Sequence, residues 1–309
     1  MRKEVYDYFK NLDYLNLTDK HHVFHKDKHR IDYIDQNQSN VVHLKVDYLP
    51  MYMKKWRDKE AIYSLSSAEM YHKLGILTPP MKPANVNLHE DDQSTQINQI
   101  FMQDAKSIGL YCVDANTTKL FEDFIHLNPK SKWEILYNPS YRELFLNHMT
   151  EECFEEYINM FLLDHLRSDS DRYYANFLQF RRYLTSKFEG VIPIDLDESR
   201  AIDLGISNKE EFESFLNTKD FSFIPSGIHG PIETYKKRTE DIQQLIQDGK
   251  LSDNQIKLLS DALIYNFPKT TREMAIKYSV NKEIRKQIFT PTAYLWDYNR
   301  KTIGKELGL

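Results

Sequence analysis

A chain of 309 residues with a formal net charge of -5, 41% of it hydrophobic and 28% charged, can build one large domain or two lobes sharing a core. Charge this mild excludes wholesale nucleic-acid coating, and two cysteines, Cys112 and Cys153, give neither a disulfide framework nor zinc spacing and fit a reducing compartment. No run nears the roughly 20 apolar residues that cross a bilayer, and MRKEVYDYFKNLDY lacks a signal peptide's apolar stretch, so a soluble, cytoplasmic protein with no membrane span is expected.

Val5, Tyr8, Phe9, Leu12 and Leu15 lie at helical spacing and predict a short amphipathic helix over residues 1–20. In HHVFHKDKHR, His21, His25 and His29 would share one helix face, a spacing that could ligate zinc. No cysteine or acidic partner accompanies them, and a solvated basic segment is the preferred reading. Residues 31–34 and 41–46 read as strands around the polar loop 35–40, and residues 51–56 as another extended piece. SLSSAEMYHKLGILTPP has a helix signature: Ser64 or Ser66 as cap, Met70 and Leu74 four apart, Gly75 as stop, then Pro79 and Pro80.

A strand lysine followed by a helix glutamate is the pair a kinase uses on nucleotide phosphates, the glutamate orienting the lysine. Lys54 and Glu69 are the candidates, with Lys55 the alternative to Lys54, because neighbours on a strand face opposite sides. Residues 97–102 form an apolar strand ending in Met102, the third ATP-binding candidate. The pattern then turns helical, which divides the chain into 1–104 and 105–309.

Helical patterns over residues 114–149 are broken by Pro129 and Pro139. Thr150 caps a stronger helix, with Glu151 and Glu152 at its positive end and Phe154, Tyr157, Ile158, Phe161 and Leu162 as its buried face. A polar loop with Asp171 and Asn176 follows, then a strand at 176–180, a hairpin, and a strand at 191–194 delivering Asp195. The spacing Asp-x-x-x-x-Asn recurs elsewhere, at Asp123/Asn128 for example, so spacing alone decides nothing; the helix–loop–strand–hairpin–strand context singles out this copy. In phosphoryl transfer the loop aspartate accepts or orients the substrate hydroxyl proton, while the asparagine and the second-strand aspartate are hard oxygen ligands for Mg2+. Asp171 is the catalytic candidate, and Asn176 and Asp195 are the metal ligands. Asp169 competes with Asp171, and Asp197 could add a ligand beside Asp195.

DRYYANFL resembles the DRHxxN catalytic loop of the atypical kinases: phosphoinositide kinases, HipA-like kinases and the secretory-pathway Fam20 group. IDLDES is similar to their metal segment, and MYMKKW with SSAEMYHKLGI to their lysine strand and following helix. The resemblance covers roughly residues 40–205 and implies the same roles for Asp171, Asn176, Asp195, Lys54 and Glu69. Tyr173 stands for the usual histidine and Asp197 for a frequent glycine. A glycine-rich phosphate loop is lacking, since no glycine precedes Gly75. Kinases without that loop occur among bacterial toxins and translocated effectors, which implies secretion into a host cytosol as the alternative location. Some need a host factor or a polyanion such as an inositol polyphosphate, for which residues 54–59 and 21–30 offer basic charge.

Beyond Gly205 the pattern is almost wholly helical, with capping-box patterns at Ser207/Glu210 and Ser252/Gln255 and a loop over 221–231. The expected architecture is α+β: a two-lobed, protein kinase-like fold with a small sheet-rich N-lobe and a large helical C-lobe. The expected function is ATP- and Mg2+-dependent phosphoryl transfer to a serine or threonine of a protein substrate. The alternatives are a pseudokinase scaffold, a lipid or inositol kinase, and an AMP transferase on the same fold.

Overall fold

The structure is a computed structural model. It describes residues 21–26, 30–35, 41–45, 54–78, 83–87, 96–103, 111–114, 118–127, 131, 133–169, 172, 176–181, 186–193, 196, 199–223, 229–278 and 280–309. The predicted helix over residues 1–20 lies outside these.

β1 (His21–Lys26), β2 (Arg30–Asp35) and β3 (Val41–Lys45) form an antiparallel meander. β5 (Gln96–Gln103) pairs with β3, and β4 (Pro83–Asn87) completes the order β1-β2-β3-β5-β4. The strands read around residues 31–34, 41–46 and 97–102 are therefore present. The shared helix face for the histidines is not, because His21 and His25 sit on β1 opposite Asp35 and Asp32; His29 is outside the described residues. Pairing with β2 supplies backbone partners that an isolated polar helix of this length could not match.

α1 (Lys54–Lys73) overturns the extended reading of residues 51–56 from Lys54 onward. KKWRDKEAI is dominated by strong helix formers, and a helix that starts there carries Ser64 and Ser66 in its interior instead of at its cap. The Ser66 hydroxyl donates to the Ile62 carbonyl four residues back, at 2.8 Å, a common resting place for a mid-helix serine. The stop is as read: Gly75 has φ +79, where a Cβ would be strained. α1 packs against β5 and against two C-terminal helices introduced below.

β6 (Tyr111–Asp114) lies where helix was expected and pairs with β7 (Phe177–Arg181), which in turn pairs with β8 (Gly190–Pro193), all antiparallel. Asn176 precedes β7 instead of opening it. α2 (Lys119–His126), α3 (Glu134–Tyr137) and α4 (Pro139–His148) intervene. Pro139 starts α4, with the Asn138 side chain accepting from the Ser140 N–H, a position where proline's missing donor costs nothing.

α5 (Glu151–Arg167) is the axis of the core. Thr150 caps it, accepting from the Cys153 N–H at 3.2 Å. Its predicted apolar face is buried, and so are Glu156, Asp164, His165 and Arg167. Aromatic rings run across it at edge-to-face or tilted contact: Phe124 to Phe145 at 5.0 Å, Phe145 to Tyr157 at 5.3 Å, and Tyr157 to Phe161 and Phe177 at 4.9 and 5.5 Å.

The C-terminal part comprises α6 (Arg200–Asp203), α7 (Lys209–Asn217), β9 (Lys219–Phe223), β10 (His229–Thr234), α8 (Tyr235–Gln247), α9 (Asp253–Ile264), α10 (Phe267–Lys277), α11 (Lys282–Asn299) and a π-helical turn, Arg300–Gly304. α10 and α11 are the two helices packed on α1. β9 and β10 pair as an antiparallel hairpin, so the loop read over 221–231 is strand at both ends. A register shift between His229 and Ile232 accommodates Gly230 and Pro231, as bulges on two-stranded edges do. The capping box at Ser252/Gln255 is present. At α7 the cap is Asn208, whose side chain accepts from the Glu211 N–H, while Ser207 donates both its N–H and its hydroxyl to the Glu211 carboxylate. No helix among the described residues is long and apolar enough to cross a membrane.

Candidate active site

The site is framed by the last turn of α5. Ser168, just past the helix, takes φ 58, the left-handed turn that ends many helices. Its N–H bonds the His165 carbonyl, and the Asp169 N–H bonds that of Asp164, each at 2.9 Å. The chain is thereby turned off the helix axis into the loop that runs to Asn176.

Four ions are buried at this turn. Asp164 and Asp169 face Arg167 and Arg172, and none of the four side chains is more than 3% exposed. Arg172 Nε donates to Asp164 at 2.8 Å and its Nη2 lies 3.4 Å from Asp169, while its Nη1 donates to the Asn176 main-chain carbonyl. It therefore bonds both ends of the loop. Burying such charges costs several kcal/mol each and is tolerable only with pairing of this completeness. Burial works against both arginines' charges, but the surrounding tyrosines and aspartates outweigh it and hold their pKa values above the ordinary one.

α1 reaches the same cluster through two tyrosines. The Tyr71 hydroxyl donates to Asp164 at 2.5 Å, and the Tyr63 hydroxyl donates to the Arg167 carbonyl at 2.7 Å. Burial pushes the Tyr63 phenol up to about 12 and that of Tyr71 well above its usual 10.0, so both stay protonated donors at neutral pH. The segment after β8 arrives there too: Ser199 Oγ also donates to the Arg167 carbonyl at 3.0 Å, the Arg200 N–H to Ser168 at 2.9 Å, and Arg167 Nη2 to the Leu196 carbonyl at 2.8 Å. The loop between α5 and β7 and the segment beyond β8 are thus tied to one helix end.

A further buried layer supports that end from behind. Tyr235 stacks on His165 with ring centres 4.7 Å apart, and its hydroxyl donates to the His165 carbonyl at 2.9 Å. Asn299 Nδ2 donates to the Leu166 carbonyl at 3.3 Å.

Among the predicted site residues, Asn176 is buried just before β7 and Glu69 is half-buried on α1. Met102 lies on β5 opposite His43 of β3. Lys54 opens α1 and is not on a strand. Asp171 and Asp195 are outside the described residues, as are Tyr173 and Asp197. Asp169, the competitor of Asp171, is held between Arg167 and Arg172, which assigns it to the framework. Sequence reasoning overlooked Asp164, Arg167, Arg172, Tyr63 and Tyr71. The charge-rich end of an otherwise apolar helix, DHLR, was their signal. Lys45 is a further lysine, on β3 two residues from His43.

For magnesium, the Asn176 side chain carries an amide oxygen, a donor type that fits the ion. No group of three His, Cys, Asp or Glu suited to a metal occurs among the described residues. Asp164 and Asp169 are paired with arginines.

No family model matches the sequence, and no curated protein matches it. Among solved structures the chain is similar to the crystal structure of a Helicobacter pylori proinflammatory kinase, CtkA. The TM-score is 0.61 at 13% identity, over 95% of this chain and 96% of that one. Also similar is the Shewanella oneidensis MR-1 toxin–antitoxin complex of HipA, HipB and operator DNA, with TM-score 0.47 and 11% identity, over 98% of this chain and 71% of that one. The first likeness establishes the fold: helices and small antiparallel sheets in the arrangement of a kinase.

Proposed function

We propose that the chain is an ATP- and Mg2+-dependent phosphotransferase, a protein kinase of atypical type acting on serine or threonine, with a sheet-rich N-lobe and a helical C-lobe. The observation that carries this reading is the tethering of the DRYYAN loop and the post-β8 segment to the last turn of α5, within a fold that matches CtkA over 95% of the chain. Asp171 would take or orient the acceptor hydroxyl's proton, with Arg172 beside it bonding the loop's two ends. Asn176 and Asp195 would hold magnesium, which supplies charge neutralisation at the β- and γ-phosphates. Glu69 on α1 would orient the phosphate-binding lysine. For that lysine we propose Lys45 in place of Lys54: the role needs a strand position, and Lys45 is on β3 two residues from His43, whose cross-strand partner is Met102. Met102 would then lie beside the nucleotide.

Parallel incubations with α- and γ-labelled ATP, with and without a chelator, test the reading. Label should reach protein from the γ position only and only with Mg2+, and Lys45→Met should weaken transfer far more than Lys54→Met. Label arriving from the α position would mean AMP transfer. Failure of both labels to move, together with no thermal stabilisation by magnesium–ATP, would remove the enzyme reading and leave a binding scaffold.

A further inference from the structure

One guanidinium touches every part of the framework. Arg167, fully buried, donates from Nη2 to the carbonyl of Leu196, the residue directly after Asp195, at 2.8 Å. Its Nη1 lies 3.4 Å from Asp164 and its Nη2 3.4 Å from Asp169. Nη1 also donates to the Tyr71 hydroxyl at 3.3 Å, and the guanidinium carbon lies 5.1 and 5.4 Å from the ring centres of Tyr63 and Tyr71. Three pieces meet on this side chain: α1 with Glu69, the loop with Asp171, and the segment with Asp195. Neutralising the two aspartates does not require the reach to Leu196, since Arg172 already pairs with both.

We propose that Arg167 is a positioning residue for phosphoryl transfer: it fixes the backbone at Leu196 against α1 and so sets where the chain presents Asp195 to the metal. The inference rests on the phosphotransferase reading above. The planar fork is what the task needs, because it donates in two directions from one rigid group. A lysine keeps the charge, but its three donors radiate from one nitrogen and lack the planar fork that reaches Leu196 from Nη2 and Asp164 from Nη1.

The test compares full-length wild type, Arg167→Lys and Thr150→Ala. The last loses the cap bond to the Cys153 N–H at the opposite end of α5, and so controls for general softening. Two quantities are read: the Mg2+ concentration for half-maximal transfer, and hydrogen exchange of peptides spanning Leu196 and Ser199 in metal-free protein. Arg167→Lys should raise the Mg2+ requirement about tenfold, the scale on which residues behind a metal ligand act, with KM for ATP changed less than about twofold. It should also speed exchange at Leu196. Thr150→Ala should leave both at wild-type values.

Where the lysine variant does not fold, Arg167→Met/Asp169→Asn, which leaves Arg172 and Asp164 as a balanced pair, carries the same comparison. Unchanged exchange and an unchanged Mg2+ requirement in an active Arg167 variant overturn this inference alone, as does an equal shift in Thr150→Ala. A wild type that neither transfers phosphate nor binds magnesium–ATP overturns the reading beneath it as well.

Discussion

Replacing Arg172 with methionine removes one cation from a buried four-ion cluster and leaves two carboxylates facing Arg167. The lost contacts are the 2.8 Å pair with Asp164, the 3.4 Å pair with Asp169 and the bond to the Asn176 carbonyl. Stripping a partner from a buried ion costs about 3–5 kcal/mol. Here the lower end applies, because Asp164 keeps Tyr71 at 2.5 Å and Arg167 at 3.4 Å, and Asp169 keeps Arg167. A loss of about 3 kcal/mol, or roughly 6 °C in Tm for a chain of this size, is expected in thermal and urea melts. Arg172→Met/Asp164→Asn restores charge balance between Arg167 and Asp169, so the double variant should recover about 2 kcal/mol relative to the sum of the single losses. Melts in which Arg172→Met costs under about 1 kcal/mol, or in which the two changes simply add, would refute the cluster's energetic role.

At Gly190, paired with Phe180 across β7 and β8, an added Cβ would lie 2.2 Å from Phe180 Cζ and 2.9 Å from Glu156 Oε2. Gly190→Ala should therefore cost about 2–3 kcal/mol as an overpacked core does; a wild-type melting curve would contradict this. Burial holds the His72 pKa below its usual 6.5, against the opposing hydrogen bond to Thr78 and the charge of Glu69. The folded chain thus binds a proton less readily than the unfolded one. Stability from this residue is present above pH 6.5 and is lost as pH falls from there toward the lower folded-state pKa. Wild type should consequently lose stability relative to His72→Gln over that acidic window, and parallel pH curves for the two would dismiss the linkage.

Local rules made much of this fold legible. Thr150 with Glu151 and Glu152, Gly75 with its positive φ, and Ser252 with Gln255 are each signalled within a few residues of where they act. What escaped was non-local. The Tyr71 bond to Asp164 spans 93 residues and the Tyr63 bond to the Arg167 carbonyl spans 104, so nothing in DHLR itself says that its charges are buried. Spacing to Asn176 already favoured Asp171 over Asp169, but the pairing of Asp169 with Arg167 and Arg172 is not readable from the letters. Lys54 was read as a strand residue because a six-residue window ending in KKW reads as extended, whereas the helix-forming run that includes it continues to Lys73. Gly230 and Pro231 disguised a hairpin because the register shift between His229 and Ile232 that admits them appears only where β10 pairs with β9.

Transfer of the γ-phosphoryl group, counted in parallel for wild type and Asp171→Asn at matched thermal stability, tests the central claim most directly. Loss of a positioned general base should lower the rate by about 100-fold or more while magnesium–ATP still stabilises the variant against heat. Equal transfer by wild type and Asp171→Asn would contradict the assignment of the DRYYAN loop as the catalytic centre.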